Sequence, residues 1–364
     1  MNPLRDLERL GQSIWLDYIQ RSLIENGGLK SLIENDGLSG VTSNPAIFEK
    51  AIAQTTEYDK TIAYLAHRHS IPKDIYEHLA IRDIREAADL LRPVWERTEG
   101  ADGYVSLEVS PDLAHDTHAT INEGHRLFAD TNRTNVMIKV PATDEGIPAI
   151  RQLIADGINI NVTLLFSTTY YERAALAYIN GLEDRLSKGK PVDQIASVAS
   201  FFISRIDTLV DGLLDQKGLA SQLGGKAAIA NARLTYAFSK ELYDSHQWRA
   251  LSKHNAQPQR LLWASTSTKN PAYRDVMYVD ELIGKNTVNT LPPATLEAFR
   301  DHGKAEARIE YDLQGARQVM DELAQNGIDF EQVCAQLTKE GVKLFKDAFD
   351  KLLLVVDEKR RHLA

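Results

Sequence analysis

The sequence predicts an α/β protein of the (β/α)8 TIM-barrel type. Two observations support this prediction: eight short apolar segments recur along the chain, and longer amphipathic stretches with helical spacing separate them. Strands that alternate with helices pair in parallel through right-handed crossovers, and eight such units close most simply into a barrel. An open doubly wound sheet is the structural alternative.

The predicted strands are short β-like runs such as IWLDYI, YVSLEV and NVMIKV. Between the second and third strands, the stretch DIYEHLAIRDIREAADLLRPVW has apolar residues at helical spacing, Ile75, Leu79 and Leu91 among them, and predicts a long helix. In chain order, the eight strands are predicted at residues 14–19, 40–44, 104–109, 135–140, 160–165, 197–203, 260–266 and 287–291.

Two regions exceed a minimal barrel. The segment from Pro45 to Gly103 can hold two or three helices, and the tail after Pro293 also has helical character. We expect these helices to cover the barrel or its mouth. Because no Pro/Ser-rich linker and no fixed-period repeat divides the chain, we predict one domain over residues 1–364, with the barrel core at about 10–300 and a helical extension at about 294–364.

Length and composition exclude several classes of protein. A chain of 364 residues that is 43% hydrophobic can bury a large core without disulfides or metals, and it is not a low-complexity scaffold. Its 42 Lys and Arg against 51 Asp and Glu give a net charge of −9, which disfavours nucleic acid and anionic membranes as partners. The single cysteine, Cys334, can form neither an intramolecular disulfide nor a cysteine zinc site.

The first residues argue against a secretory signal. The start, MNPLRDLERLGQ, has acids where a signal peptide needs a continuous apolar stretch. No apolar run approaches the roughly 18 residues of a membrane span. We therefore expect a cytoplasmic protein, and the sequence leaves homo-oligomer formation open.

Polar residues interrupt the predicted strands on the face that should point into the barrel. Side chains alternate along a strand, and the outward face of a barrel strand packs on helices and is apolar. In NVMIKV the valines and the isoleucine face outward, so Lys139 points inward. The same argument places four further polar residues inside, each in the second half of its strand: Asp17, Glu108, Asn161 and Thr163. These positions predict a site at the C-terminal mouth, where barrel enzymes carry out their chemistry.

An inward lysine with two carboxylates on other strands indicates a catalytic site, because desolvating each charge is costly. An enclosed lysine loses the hydration of its charged form and can attack a ketone as the free amine, forming a Schiff base. The protonated imine stabilises a carbanion on the adjacent carbon. One carboxylate can take a hydroxyl proton as a carbon–carbon bond breaks, and the other can move protons during imine formation. These groups suffice for a class I aldol reaction.

The residues also resemble a known family. The segments WLDYI, GVTSNPAIF, VSLEVSPDLAHDT, NVMIKVPAT, NINVTLLFS and SFFISRID are similar, in order, to the motifs of transaldolases, over about residues 10–300. The helical excess suggests the longer-chain bacterial branch. The resemblance implies a cofactor-free enzyme of the pentose phosphate pathway on a permuted barrel. It would move a dihydroxyacetone unit reversibly from sedoheptulose 7-phosphate to glyceraldehyde 3-phosphate, giving erythrose 4-phosphate and fructose 6-phosphate.

The resemblance implies roles for individual residues. Lys139 corresponds to the Schiff-base lysine, and Asp17 to the acid/base that takes the donor hydroxyl proton during carbon–carbon cleavage. Glu108 and Thr163 correspond to the pair that holds a water for imine formation. The residues that resemble hydrogen-bond partners of the dihydroxyacetone hydroxyls are Asn44, Asn161 and Ser200.

The phosphate end of such a substrate requires cations at the barrel rim. By resemblance, Arg205 is the arginine of the strand-six motif, and ASTSTKNP places Ser267 and Lys269 where many members have serine and arginine. Lysine keeps the charge but lacks the planar two-point fork that suits phosphate. Two structural alternatives stay open: Lys269 as a solvated loop lysine, and Arg205 in an ion pair with Asp207.

Two other patterns are weak signals. His115 and His118 have a spacing that could suit a metal, but no third ligand follows at convincing spacing, so we predict no metal site. The glycines of QLGGKAA, Gly224 and Gly225, do not fit the pattern of a nucleotide phosphate loop. We therefore predict neither a metal nor an organic cofactor.

The leading hypothesis is a transaldolase that acts on sugar phosphates. A second is a class I aldolase that releases free dihydroxyacetone to water and shares the cleavage residues. A third is a non-catalytic sugar-phosphate-binding protein, which would require loss of the lysine or the acids, and all are present. Donor consumption with and without an acceptor aldehyde separates the first two.

Overall fold

A computed structural model describes residues 2–68 and 70–363 and contains a closed barrel of parallel strands. Each strand pairs in parallel with the next in chain order, and the last pairs with the first. The prediction of a (β/α)8 barrel is confirmed, and the open-sheet alternative is wrong because a doubly wound sheet leaves two free edges. The strands are β1 (Gln12–Asp17), β2 (Leu38–Thr42), β3 (Tyr104–Glu108), β4 (Val136–Pro141), β5 (Ile160–Leu165), β6 (Ser197–Phe202), β7 (Arg260–Ala264) and β8 (Thr287–Leu291).

Helices surround the barrel and include the predicted additions. Three of them lie between β2 and β3, and a further three follow β8, as the sequence predicted. In chain order the helices are α1 (Pro3–Arg9), α2 (Arg21–Glu25), α3 (Gly28–Asp36), α4 (Pro45–Ala53), α5 (Asp59–Ala66), α6 (Pro72–Arg97), α7 (Thr117–Thr131), α8 (Gly146–Asp156), α9 (Thr168–Ser187), α10 (Ser204–Gln216), α11 (Ala220–Leu223), α12 (Ala227–Leu242), α13 (His246–Ser252), α14 (Met277–Glu281), α15 (Pro293–His302), α16 (Leu313–Gln325) and α17 (Phe330–Leu363). Among the described residues, no helix is both long enough and apolar enough to cross a membrane.

Six of the eight strands have bounds that differ from the predicted ones by one or two residues, and the differences of two residues occur in β1, β2 and β7. Both β1 and β2 begin and end two residues earlier than expected. Asn44 therefore lies outside β2 and caps α4, because its side-chain oxygen accepts a hydrogen bond from Ile47 N at 3.0 Å. The strand β7 ends at Ala264, since Ser265 has a left-handed backbone conformation with φ of 56°. A shift of two residues preserves the inward and outward faces, so the predicted orientations survive.

A polar network closes the N-terminal end of the barrel. The indole of Trp15 donates to Asp102 Oδ1 at 2.8 Å, and Arg260 Nη1 donates to Ser13 Oγ at 2.6 Å. The Trp15 ring lies so close to Gly40 that a methyl group there would come within 2.3 Å of it. These contacts join β1, β2 and β7 at the end of the barrel opposite the C-terminal mouth.

The helix α17 is 34 residues long and packs against α4, α5, α6 and α10. Ion pairs hold it along its length, with Lys351 Nζ at 2.9 Å from Glu49 Oε1 and Lys359 Nζ at 2.6 Å from Asp59 Oδ1. This path brings Phe345 to the C-terminal mouth of the barrel. A segment that follows all eight strands therefore supplies part of the wall of the site.

Candidate active site

The C-terminal ends of the strands surround a cavity of about 140 Å³. Glu108 and Asn161 do not line it, although Glu108 contacts the amine of Lys139 and Asn161 contacts Ser200. The predicted site residues that line the cavity are Asp17, Asn44, Lys139, Thr163, Ser200, Arg205, Ser267 and Lys269. The lining is completed by residues that the sequence analysis did not single out, namely Thr42, Phe202, Ala264, Ser265, Thr290, Pro292 and Phe345.

The amine of Lys139 is enclosed on several sides. The residue lies on β4 and is only 4% exposed. Its Nζ donates to the carbonyl oxygen of Ser43 at 3.2 Å and lies 3.6 Å from Glu108 Oε2. The ring centroid of Phe345 lies 5.3 Å from the same nitrogen. The amine thus has an aromatic face, one carbonyl and one carboxylate around it, and its position on the cavity wall leaves one direction open to a ligand.

Glu108 lies on β3, directly beside Lys139 in the parallel pairing of β3 and β4. Burial raises the pKa of Glu108 from its usual value of 4.5 to about 7, although the neighbouring charge of Lys139 lowers it. In the described part of the chain, Glu108 Oε2 has no hydrogen-bond partner. A carboxyl group with a pKa near neutrality can both hold and release a proton under physiological conditions.

Replacing Glu108 with glutamine is expected to change how stability depends on pH. Because the folded-state pKa of about 7 lies above the usual 4.5, the folded protein holds this proton more tightly than the unfolded chain does. The stability that Glu108 contributes is therefore fully present below pH 4.5 and is lost as the pH rises through 7. Urea unfolding across this interval should show wild type losing stability relative to Glu108→Gln. A pH-independent difference would contradict the raised pKa, and the exposed Glu34→Gln is the matched control.

Asp17 ends β1 and lies on the cavity wall. Its Oδ1 accepts a hydrogen bond from Thr42 Oγ1 at 2.8 Å, and Thr42 is in turn 2.6 Å from Thr290 Oγ1. Burial raises the pKa of Asp17, while the positive charge of Lys139 and the hydrogen bond from Thr42 lower it. The two threonines hold one carboxylate oxygen in place and leave the other available to a substrate hydroxyl.

Asn161 and Ser200 form a hydrogen-bonded chain in the barrel interior. Ser200 Oγ donates to Asn161 Oδ1 at 2.7 Å, and Asn161 Nδ2 donates to Ser106 Oγ at 3.0 Å. Ser200 itself reaches the cavity, whereas the amide of Asn161 is fully buried. The two residues therefore present one serine hydroxyl to the cavity, with its orientation set by the asparagine below it.

Thr163 differs from these residues because its hydroxyl is unsatisfied. Among residues 2–68 and 70–363, Thr163 Oγ1 is buried without a hydrogen-bond partner. Leaving a buried hydroxyl unpaired is unfavourable, so this atom is available to a ligand or a water. The next residue, Leu164, has φ of 62°, and the pairing of β5 with β6 shifts register there. The irregularity lies at the end of the strand that carries Thr163.

Two cationic side chains, those of Arg205 and Lys269, also line the cavity. Arg205 stands in the first turn of α10, with its guanidinium carbon 4.9 Å from the ring centroid of Phe202. Its Nη1 is buried and lacks a hydrogen-bond partner within the described residues. The predicted alternative of an ion pair with Asp207 is wrong, since Asp207 accepts hydrogen bonds from Tyr278 and the Ala228 amide. The guanidinium thus keeps donors for a ligand.

Lys269 lies on the long connection between β7 and β8. Its Nζ donates to Ser267 Oγ at 2.6 Å, and both residues line the cavity. Partial burial and the neighbouring charge of Arg205 lower the pKa of Lys269, while Asp17 raises it. Lys269 is an exposed residue, as the solvated-lysine alternative predicted, but the hydrogen bond to Ser267 holds its ammonium at the cavity wall. Two cations and a serine hydroxyl converge on one end of the cavity, an arrangement suited to a phosphate group.

The cavity residues that were not predicted differ in whether a pattern in the sequence could have identified them. Thr42 stands in the quoted segment GVTSNPAIF, so alternation could have identified it. Thr290 shares its face of β8 with Val288, whereas Thr287 and Asn289 occupy the other face, so alternation alone does not single out Thr290. Phe345 carried no such signal. It belongs to an amphipathic helix far along the chain, and only the folded path of α17 brings it to Lys139.

Comparison with known proteins agrees with this geometry. The family described as Transaldolase/Fructose-6-phosphate aldolase matches residues 14–356. A transaldolase of Trichodesmium erythraeum is 49% identical, over 100% of this chain and 98% of its own length. The protein named Transaldolase 2 of Nostoc punctiforme is 47% identical (100% and 99% covered), and a transaldolase of Neisseria gonorrhoeae is 46% identical (97% and 99%). The chain therefore belongs to the transaldolase/fructose-6-phosphate aldolase family.

Proposed function

We propose that this protein is a transaldolase that moves a dihydroxyacetone unit between sugar phosphates through an imine on Lys139. The observation that carries the proposal is the enclosed amine of Lys139, which lies 3.6 Å from Glu108 Oε2 in a site that also contains Asp17 and a pair of rim cations. The donor is a ketose phosphate such as sedoheptulose 7-phosphate or fructose 6-phosphate, and the acceptor is an aldose phosphate.

The first step is imine formation. The nitrogen of Lys139 adds to the donor ketone, the carbinolamine loses its hydroxyl as water, and a protonated imine remains. Glu108 can give a proton to the departing hydroxyl because its pKa lies at about 7. Within residues 2–68 and 70–363, Thr163 Oγ1 and Glu108 Oε2 have no hydrogen-bond partner, so both are available to hold that water. This assignment explains why two buried polar atoms lack partners.

Carbon–carbon cleavage is the second step. Asp17 takes the proton of the hydroxyl on the carbon that becomes the aldehyde, the bond to the neighbouring carbon breaks, and its electron pair enters the imine to give an enamine. The aldose phosphate leaves, an acceptor aldehyde takes its place, and the reverse steps join it to the three-carbon unit. The protonated imine is the electron sink, so the proposed chemistry requires neither a metal nor an organic cofactor.

A transfer assay tests the proposal. Purified protein is incubated with fructose 6-phosphate, with or without erythrose 4-phosphate, and glyceraldehyde 3-phosphate release is followed through a coupled dehydrogenase. A transaldolase consumes the donor stoichiometrically with the acceptor and nearly stops without it. Steady donor consumption and free dihydroxyacetone without acceptor would instead identify the aldolase activity that the family name also includes. Tight donor binding without turnover would identify a non-catalytic binding protein.

Replacing Arg205 with alanine is expected to weaken the binding of phosphorylated donors specifically. The guanidinium lies at the cation end of the cavity, and loss of one charged hydrogen-bond partner should cost roughly 2–4 kcal/mol of phosphate interaction. The Michaelis constant for fructose 6-phosphate should rise, with little change for unphosphorylated fructose. The exposed Arg151→Ala is the matched control. Equal losses on both donors would assign Arg205 to the fold and not to phosphate binding.

A further inference from the structure

The position of Lys269 depends on a long connection. From the end of β7 at Ala264 to the start of β8 at Thr287, the chain forms only the short helix α14. Lys269 and Ser267 lie in the first part of this connection, while Arg205 stands on α10. Arg205 and Lys269 line the same cavity although they belong to different segments. Contacts between α10 and the β7–β8 connection, outside the barrel strands, are therefore needed to keep the two residues together.

Tyr278 makes the first of these contacts. It is 1% exposed, and its hydroxyl donates to Asp207 Oδ2 at 2.8 Å. Asp207 lies on α10 and is also 1% exposed. Its other oxygen accepts a hydrogen bond from the Ala228 amide at 2.8 Å, at the start of α12. One buried carboxylate thus joins α10, α12 and the connection.

Tyr273 makes the second contact, one helical turn further along α10. Its hydroxyl donates to Asp211 Oδ2 at 2.7 Å, and Asp211 Oδ1 accepts from the Gly225 amide at 3.0 Å. The Tyr273 ring packs against Gly225, where a methyl group would come within 2.8 Å of Tyr273 Cζ. Gly225 also has φ of 70°, which favours glycine. The glycines of QLGGKAA thus leave room for an aromatic ring.

A turn at Asn270 connects Tyr273 to Lys269. The Tyr273 amide donates to the carbonyl oxygen of Asn270 at 3.1 Å, and the Ala272 amide donates to Asn270 Oδ1 at 3.0 Å. Asn270 directly follows Lys269. Fixing the Tyr273 hydroxyl on α10 therefore limits where the backbone of Lys269 can lie. In the same arrangement, Asp207 accepts a hydrogen bond from Tyr278. In the described residues, the guanidinium of Arg205 therefore has no carboxylate partner.

We propose that the Asp211–Tyr273 and Asp207–Tyr278 pairs are positioning residues that hold Lys269 and Arg205 on one cavity and thereby set the affinity for the phosphate end of the substrate. The proposal rests on the proposed function, because it concerns the phosphate end of the same site. The pairs touch no substrate, and they act through the connection that carries Lys269. Their loss should therefore affect phosphorylated ligands and leave the imine chemistry at Lys139 intact.

The test removes one hydroxyl. Tyr273→Phe keeps the ring on Gly225 but deletes the hydrogen bond to Asp211, so the Michaelis constant for fructose 6-phosphate should rise roughly 3- to 10-fold. The kcat and the Michaelis constant for unphosphorylated fructose should stay unchanged. Tyr236→Phe is the matched control, because its hydroxyl donates to the carbonyl oxygen of Lys285 at 3.0 Å, before the start of β8. Equal rises for both donors would overturn the proposal.

A double-mutant cycle separates positioning from general stability. If Tyr273 acts through Lys269, then Tyr273→Phe should have no further effect in a Lys269→Ala background. Additive effects in the cycle would contradict the proposal. Calorimetric titration with inorganic phosphate should show the same loss for Tyr273→Phe and needs no turnover. If the proposed function is wrong, wild type shows no transfer, but the phosphate titration still compares Tyr273→Phe with wild type. If the positioning role is wrong, transfer remains and Tyr273→Phe binds inorganic phosphate with the same affinity as wild type.

Discussion

Lys139→Arg is expected to abolish both turnover and covalent trapping. Arginine keeps a positive charge next to Glu108 but cannot form an imine with a ketone, so kcat should fall by at least about a thousandfold. The measurement is borohydride reduction in the presence of fructose 6-phosphate, followed by peptide mass spectrometry. Wild type should gain one dihydroxyacetone unit per chain, on the peptide that carries MIKVPATDEGIPAIR.

The matched control for this experiment is Lys190→Arg. Lys190 is an exposed lysine in a loop and does not line the cavity that contains Lys139. It should trap and turn over like wild type. A folded Lys139→Arg protein that still transfers dihydroxyacetone would refute the Schiff-base mechanism. Trapping at another lysine in wild type would place the imine elsewhere.

Asp17→Asn is expected to separate imine formation from bond cleavage. The amide oxygen can still accept the hydrogen bond from Thr42, but it cannot take a proton from the donor hydroxyl. Turnover should therefore fall roughly 10²- to 10⁴-fold, the usual contribution of a positioned general base. The donor should still condense with Lys139, so borohydride reduction should trap the whole ketose phosphate and not the three-carbon unit.

The mass of the trapped adduct decides the outcome. An intact donor adduct on Asp17→Asn places Asp17 in the cleavage step, whereas no adduct would show that Asp17 is needed before the imine forms. Asp144→Asn is the matched control, because this exposed carboxylate pairs only with Arg173 in the described structure. It should trap the same three-carbon unit as wild type.

Alternation along the strands was enough to predict which polar side chains of β3 and β4 point into the barrel. In β3 and β4, apolar residues alternate with Glu108 and Lys139, and the structure places these two side by side on neighbouring strands. The prediction succeeds because the outward face of each strand must pack on helices, which leaves the polar face inside. The two-residue error in β1 was harmless for the same reason, since Asp17 stayed on its face.

Contacts between distant segments could not be predicted from local patterns. The capping role of Asn44 depends on where β2 ends, and the partner of Asp207 is a tyrosine that belongs to the connection after β7. From the sequence, Asp207 was a plausible partner for Arg205 because the two are only two residues apart, but residues at this spacing do not face each other on a helix such as α10. The structure gives Asp207 two other hydrogen bonds, from Tyr278 and the Ala228 amide. Such pairings follow from tertiary packing, and no periodic pattern in the sequence indicates them.

The packing of α17 has a consequence for the order in which the protein matures. This helix follows every strand in the chain, yet its Phe345 lies 5.3 Å from the amine of Lys139. A nascent chain can pair all eight strands while α17 is still inside the ribosome, because domains begin to fold from their N-terminal side during synthesis. The Lys139–Phe345 contact joins distant positions and so forms late. A ribosome-bound intermediate with a closed barrel would thus carry its lysine and carboxylates with the amine still open to bulk water. It would acquire the enclosed amine only once α17 has emerged and packed on the barrel.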